Sequence, residues 1–258
     1  MTDEDLGEGV DTDRAQREKE FHDSRFAEDV RPAGRFYSIT GSSFDCYREL
    51  LAPIQAPAHV LELGCGLKSE MWGMLERGVT VTAIDISTVA IEESRQHYAE
   101  LGLTGGEFRE MNAEQLDFDD DTFDVIAGSG IIHHLDTERG CSEAARVLRP
   151  GGRLVLEEPM GHNPAVNLYR RFTPDQRTED EHPLLMGDFD ILRRHFDTVN
   201  LHFFHFLSLG ALALSSTRSF DSALRTLERA DEKVFARIPW TRRLAWMVVI
   251  EAVGPKAR

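Results

Sequence analysis

Residues 59–71, HVLELGCGLKSEM, run an apolar strand through Val60, Leu61 and Leu63 into Gly64 and Gly66, and then toward a helix. A strand that stops in a glycine turn and re-enters as a helix is the opening unit of a parallel α/β sheet. In such a sheet, ligands sit beyond the carboxyl ends of the strands. The two glycines fill the first places of a G-x-G-x-x-G fingerprint, and Ser69 stands at the third, so the turn points to a nucleotide without naming it.

The pattern around this turn extends the same reading. From Pro57 onward the strand-like runs AHVLELG, VTVTAID, GEFREMN, FDVIAGS and RLVLEEP are mostly separated by helical stretches, which predicts a parallel sheet covered on both faces. Ser87 is placed to cap the helix that follows the second strand, and Pro150-Gly151-Gly152 closes a later one. Two more strand-like runs, TVNLHFFHF and AWMVVIEAV, flank residues 207–240, where Phe220, Leu224, Leu227, Val234 and Ile238 recur at helical spacing. We read residues 1–18 as a disordered acidic tail and 19–57 as a helical lid. Residues 58–258 form the ligand-binding domain, with insertions at about 159–187 and 207–240.

The chain of 258 residues carries 29 basic against 45 acidic residues, a net charge of -16, which disfavours nucleic acid as a partner. Cys46, Cys65 and Cys141 form no C-x-x-C pair, so neither a disulfide framework nor a zinc cluster is indicated. With an acidic N-terminus and no long apolar run, the expectation is a cytoplasmic protein without stable membrane insertion, acting on a small molecule, with a homodimer left open.

Asp85 ends the second strand 19 residues after Gly66, where a carboxylate can accept both ribose hydroxyls; NAD and S-adenosylmethionine are served equally by that. Glu62 just before the turn opposes a pyrophosphate but suits a cationic amino-acid ligand. After the third strand, Asn112-Ala113-Glu114 offers an amide oxygen to an adenine amino group. These features favour S-adenosylmethionine.

The blocks VLELGCG, VTAIDIS, MNAEQLDFDDDTFDVI, IIHHL and EAARVLRPGGRLVLEEP, in this order over about residues 58–158, resemble the class I S-adenosylmethionine-dependent methyltransferases. The resemblance implies a Rossmann-like, seven-stranded, mostly parallel sheet with an antiparallel last strand, supplied by AWMVVIEAV, helices on both faces and helical lid additions. It also implies that Glu62, Gly64, Cys65 and Gly66 surround the methionine part, that Asp85 holds the ribose, and that Asn112 and Ala113 line the adenine. Ile86, Glu114 and Ser129 complete the expected cofactor set. Lys68 stands where these enzymes commonly place a third glycine, and Asn112 where an aspartate is commoner.

Methyl transfer from a sulfonium is an in-line displacement, so alignment and exclusion of water do much of the work, and a base is needed only when the acceptor must lose a proton. Four residues after the fourth and fifth strands are candidates for that chemistry: His134 and His162 first, then His133 and Glu158, which could orient His162. Tyr37, Tyr169, Arg170, Arg171, Arg177 and His182 are candidates for holding the acceptor, the arginines through a carboxylate or phosphate. Glu157, Glu158, His162, Glu181 and His182 show no metal-ligand spacing, so no metal is expected. The expected activity is methyl transfer to an oxygen, nitrogen or carbon of a small molecule. The alternatives are an enzyme that uses the same cofactor for an intramolecular displacement or rearrangement, and a cofactor-binding protein without catalysis.

Overall fold

Val60, Leu61, Leu63, Val81, Ala83, Ile84, Val125, Ile126 and Ala127 are all buried, and they form the centre of one sheet. The computed structural model describes residues 12–27, 37–67, 69, 71–174, 177, 178 and 180–256. The sheet consists of β1 His59–Leu63, β2 Thr80–Asp85, β3 Gly106–Glu110, β4 Phe123–Ser129, β5 Leu148–Pro159, β6 Phe196–Phe204 and β7 Met247–Pro255. Their spatial order is β3-β2-β1-β4-β5-β7-β6, with β7 antiparallel to both β5 and β6. The seven strands and the antiparallel last one agree with the sequence expectation.

Strand alternation splits the core in two. Leu61, Leu63, Ile126, Leu154 and Leu156 face one side with Cys141 and Ala144 of α5 (Thr137–Val147) and Phe189 and Leu192 of α7 (Asp188–His195). Val60, Val81, Val125 and Val155 face the other with Tyr47 and Leu51 of α2 (Gly41–Leu51) and Met74 and Leu75 of α3 (Trp72–Leu75). The α2 helix is thus part of the layer covering the sheet, although it lies in the stretch expected as lid. The helix after the glycine turn is a single turn; Lys68 lies outside the described residues. Ser87 caps α4 (Thr88–Glu100) as expected, its hydroxyl accepting from the Ala90 N–H at 3.2 Å.

The additions have a core of their own. Ile39, Val166, Trp246 and Met247 cluster with Leu209, Leu212, Phe220 and Leu224. This joins the turn Tyr37–Ile39, α6 (Pro164–Phe172), the segment Leu207–Leu214 and α8 (Phe220–Arg237) into one cap beside the ligand end of the sheet. A further helix, α1, spans Thr12–Ala27 and so begins inside the stretch expected to be a disordered tail; residues 1–11 lie outside the described residues. Its only buried residue is Glu18.

Strand order reverses between β1 and β4, so the loops after these two strands open the crevice where ligands of such sheets bind. Gly128, in β4, permits the tight return of the following loop: a Cβ there would meet Ile131 Cγ2 at 2.7 Å and the Leu63 carbonyl at 3.2 Å. Gly128→Ala should therefore cost about 1–3 kcal/mol of stability through overpacking, read as a lower urea midpoint. An unchanged midpoint would show that the loop after β4 has room to shift.

Candidate functional site

The glycine turn is built by backbone conformation. Gly64 and Gly66 have φ of 67° and 55°, and the N–H groups of Gly64 and Cys65 donate to the Ile84 carbonyl at 2.9 and 3.1 Å. At Gly66 nothing stands within 4 Å of where a Cβ would be, so the turn faces open space. That space is a cavity of about 240 Å³, floored by Gly64 and Gly66, walled by Asp85, Ile86, Asn112, Ala113, Glu114 and Ser129, and roofed by α1. Asp85 accepts from the N–H groups of Gly66 and Ser87, each at 2.9 Å, which fixes its carboxylate at the rim. Burial raises its pKa and these two bonds oppose the rise.

Two residues of the expected cofactor set lie back from this cavity. Glu62 is buried and accepts a short hydrogen bond from Ser69 Oγ. Cys65 packs beneath the turn with Ala83, Ile91 and Phe108, and burial pushes its thiol far up. Asn112 does line the cavity, with its Oδ1 accepting from the Glu114 N–H at 2.9 Å.

A second cavity of about 320 Å³ adjoins the first; Arg25, Ser129, Gly130 and His134 line both. It also collects Tyr37, His133, Glu157, Tyr169, Arg170, Arg177, Glu181 and Trp246. Glu158 is fully buried, and its two oxygens accept from the N–H groups of Ile131 and Ile132, both at 2.9 Å, and bond His133 Nδ1 at 2.6 Å. A carboxylate can only accept, so Nδ1 donates to it and the ring is held with Nε2 turned away from Glu158. His133 Nε2 stands 3.8 Å from Glu181, whose carboxylate pairs with Arg170 at 2.9 Å. Burial and Glu181 raise the pKa of Tyr37, so its phenol stays a donor. Arg177 donates to the carbonyls of Arg170 and Thr173, and among the described residues Arg25 has no hydrogen-bond or ion-pair partner.

Three expectations for this end of the molecule change. Glu158 orients His133 and not His162, because neighbouring residues of β5 point to opposite faces and Glu158 faces the turn after β4. His162 lies outside both cavities, accepting from the Met186 N–H at 3.2 Å. Arg171 and His182 are exposed and line neither cavity; the His182 ring lies 3.3 Å from Thr137 Oγ1.

The reading of the sequence expected a helical lid from residue 19 and missed the part of α1 before it, together with the contacts that dock the helix. Arg14 donates to the His134 carbonyl at 2.8 Å and pairs closely with Glu114, Arg17 forks onto Asp180, and Lys19 reaches the Ile86 carbonyl and Glu110. Asp23 accepts from the Ser87 hydroxyl, and Thr178 donates to Glu18. For Glu18, burial acts upward on the pKa, but His134, His22 and Thr178 together outweigh it and hold the carboxyl well below its ordinary range. Burial, reinforced by His133, lowers the pKa of His134. The signal available was the spacing of Glu18 and His22, which sets both on one helical face.

Comparison with known proteins matches residues 61–156 to a family described as "Methyltransferase domain". A demethylmenaquinone methyltransferase of Clavibacter sepedonicus is 35% identical over 122 residues, 47% of this chain and 48% of the relative. A phosphatidylethanolamine N-methyltransferase of Cereibacter sphaeroides is 37% identical over 99 residues, 38% of this chain and 48% of the relative. The chain thus spans about half the length of the curated relatives it matches. Among solved structures, phosphoethanolamine N-methyltransferase 2 of Haemonchus contortus, in complex with phosphomonomethylethanolamine and S-adenosylhomocysteine, superimposes with a TM-score of 0.61 at 16% identity. The match covers 92% of this chain and 60% of that one. Residues 61–156 are thus similar to the methyltransferase domain family, and the fold is that of the solved methyltransferase structure.

Removing the buried acceptor of the turn tests how the site is held. Glu158→Leu strands two backbone N–H groups and the His133 ring, so it should destabilise the fold by about 3–5 kcal/mol in denaturant titration. A loss below about 1 kcal/mol would show that the turn does not depend on this carboxylate.

Proposed function

We propose that this chain transfers the methyl group of S-adenosylmethionine to a small-molecule acceptor. The observation that carries the reading is the meeting of two cavities of different character at Ser129, Gly130 and His134, on the ligand side of a methyltransferase fold. The first suits the cofactor: the open space at Gly66 admits close approach of a ligand, Asp85 offers a fixed carboxylate to the ribose, and Asn112 and Ala113 flank the place for adenine. The cofactor supplies an electrophilic methyl group on a sulfonium.

The chain's own residues supply alignment, desolvation and a proton acceptor. The α1 helix covers the first cavity and keeps water from it. In the second, His133 Nε2 takes the proton of an acceptor hydroxyl or ammonium group, while Glu158 holds the ring and stabilises the imidazolium that forms. Arg25, Arg170 and Arg177 outnumber Glu157 and Glu181 in the same cavity, and Arg25 has no ion-pair partner among the described residues, which favours an acceptor bearing a carboxylate or phosphate. Tyr37, Tyr169 and Trp246 offer apolar faces to the rest of it. The three cysteines are free thiols, in keeping with work in the cytoplasm, and among the described residues no helix is long and apolar enough to cross a membrane.

Calorimetry should show binding of S-adenosylmethionine and none of NAD. Asp85→Ala should weaken that binding by about 1.5–3 kcal/mol through lost hydrogen bonds to a charged group. Incubation with a panel of hydroxy and amino compounds that carry acidic groups should release S-adenosylhomocysteine. With the acceptor found, His133→Ala should lower turnover roughly 10²–10⁴-fold at nearly unchanged cofactor affinity. Binding of NAD in place of S-adenosylmethionine would overturn the reading, and full activity of the His133 variant would remove the base.

A further inference from the structure

The docking of α1 poses a question of its own. A helix whose only buried residue is a glutamate lies across the mouth of a cavity, and at its centre two polar atoms are buried without a hydrogen-bond partner, Glu18 Oε2 and His134 Nδ1. They stand 3.1 Å apart, yet without the alignment of donor and acceptor. His22 Nε2, one helical turn from Glu18, lies 3.5 Å from the same oxygen. All three ligand-type atoms fall within 4.8 Å of one another.

We propose that Glu18, His22 and His134 form a binding site for one divalent transition-metal ion of the zinc or cobalt type, which fastens α1 over the first cavity. The spacing matches the edges of a coordination polyhedron: ligands about 2.1 Å from such an ion sit roughly 3.0 Å apart at a right angle and roughly 3.4 Å apart at the tetrahedral angle. Two of the three edges, 3.1 and 3.5 Å, lie at these values, and the third, between the two imidazoles, is within 4.8 Å. Two imidazoles and one carboxylate suit borderline metals and not magnesium or calcium, which take oxygen ligands.

The ligands are also supported from behind, as metal ligands commonly are. The other Glu18 oxygen accepts from Thr178 Oγ1, and the His134 carbonyl accepts from Arg14 at 2.8 Å. Glu18 and His22 are four residues apart on one helix, so they approach from one side, while His134 comes from the loop after β4. An ion held by both sides ties the helix to the sheet. All three residues line the first cavity, so an ion held by them would stand at its wall.

The other reading of this geometry is a carboxylate accepting hydrogen bonds from two imidazoles with no ion between them. Titration with cobalt(II) separates the two. The full chain, freed of affinity tags and treated with a chelator, should take up one equivalent of cobalt with visible absorption bands, and zinc should displace it. His22→Ala and Glu18→Gln should each weaken the binding by tenfold or more, while His97→Ala, on α4, should leave it unchanged; circular dichroism verifies that all three variants are folded. The same titration followed by hydrogen exchange should show residues 12–27 slowed by zinc in the parent chain and not in the first two variants. Absence of stoichiometric cobalt binding, or binding that survives in both the His22 and Glu18 variants, would overturn the site and leave a hydrogen-bonded latch. Neither cofactor nor acceptor enters this measurement, so its outcome is independent of methyl transfer.

Discussion

At the end of β5 a single buried carboxylate, Glu158, accepts from two consecutive backbone N–H groups and from an imidazole, and the geometry of the ligand end follows from these three bonds. They fix the turn Ile132–His134, which sets His133 toward the second cavity and His134 at the wall between the two. His134 in turn is where α1 lands, through Arg14 on its carbonyl and Glu18 beside its ring. Burying a charge is unfavourable unless it is fully bonded, so Glu158 tolerates little change in the turn that satisfies it. The neighbouring Glu157 points to the other face of the strand, where the hydroxyls of Ser43 and Ser129 donate to it at 2.6 and 2.8 Å. Two adjacent glutamates on one strand thus brace both sides of the place where the cavities meet.

The roof is held differently from the floor. The sheet is secured by apolar burial on both faces, whereas α1 is secured by ion pairs and hydrogen bonds that are individually weak when solvent reaches them. A helix docked by many weak polar contacts can leave and return without disturbing the core, as a cofactor that must enter and leave requires. The cap of Ile39, Val166 and Trp246 has its own apolar cluster and bounds the second cavity more firmly.

The sheet was legible because buried parallel strands write themselves as short apolar runs, and the Ser87 cap because its chemistry is local. Asp85 and Asn112 line the first cavity for the same reason: Asp85 ends its strand and Asn112 follows its own at the ligand end. The start of α1 and its docking could not be read from the sequence, since its partners Glu114, His134 and Asp180 are far away in sequence and its own residues bury almost nothing. The pairing of Glu158 with His133 and not His162 depends on how β5 registers against β4, where Ser129 lies beside Glu157. No single-chain periodicity states that register. Glu62 and Cys65 were expected at the ligand because they sit in the glycine motif, but the turn directs them inward, to Ser69 and to the layer under α4.

Hydrogen–deuterium exchange with and without S-adenosylhomocysteine tests the central claim most directly, that the first cavity holds this cofactor beneath α1. The account predicts slowed exchange at residues 64–66, 85–87 and 112–114 together with residues 12–27, and no such pattern with NAD. Unchanged exchange across the glycine turn at saturating S-adenosylhomocysteine, or equal protection by NAD, would contradict it.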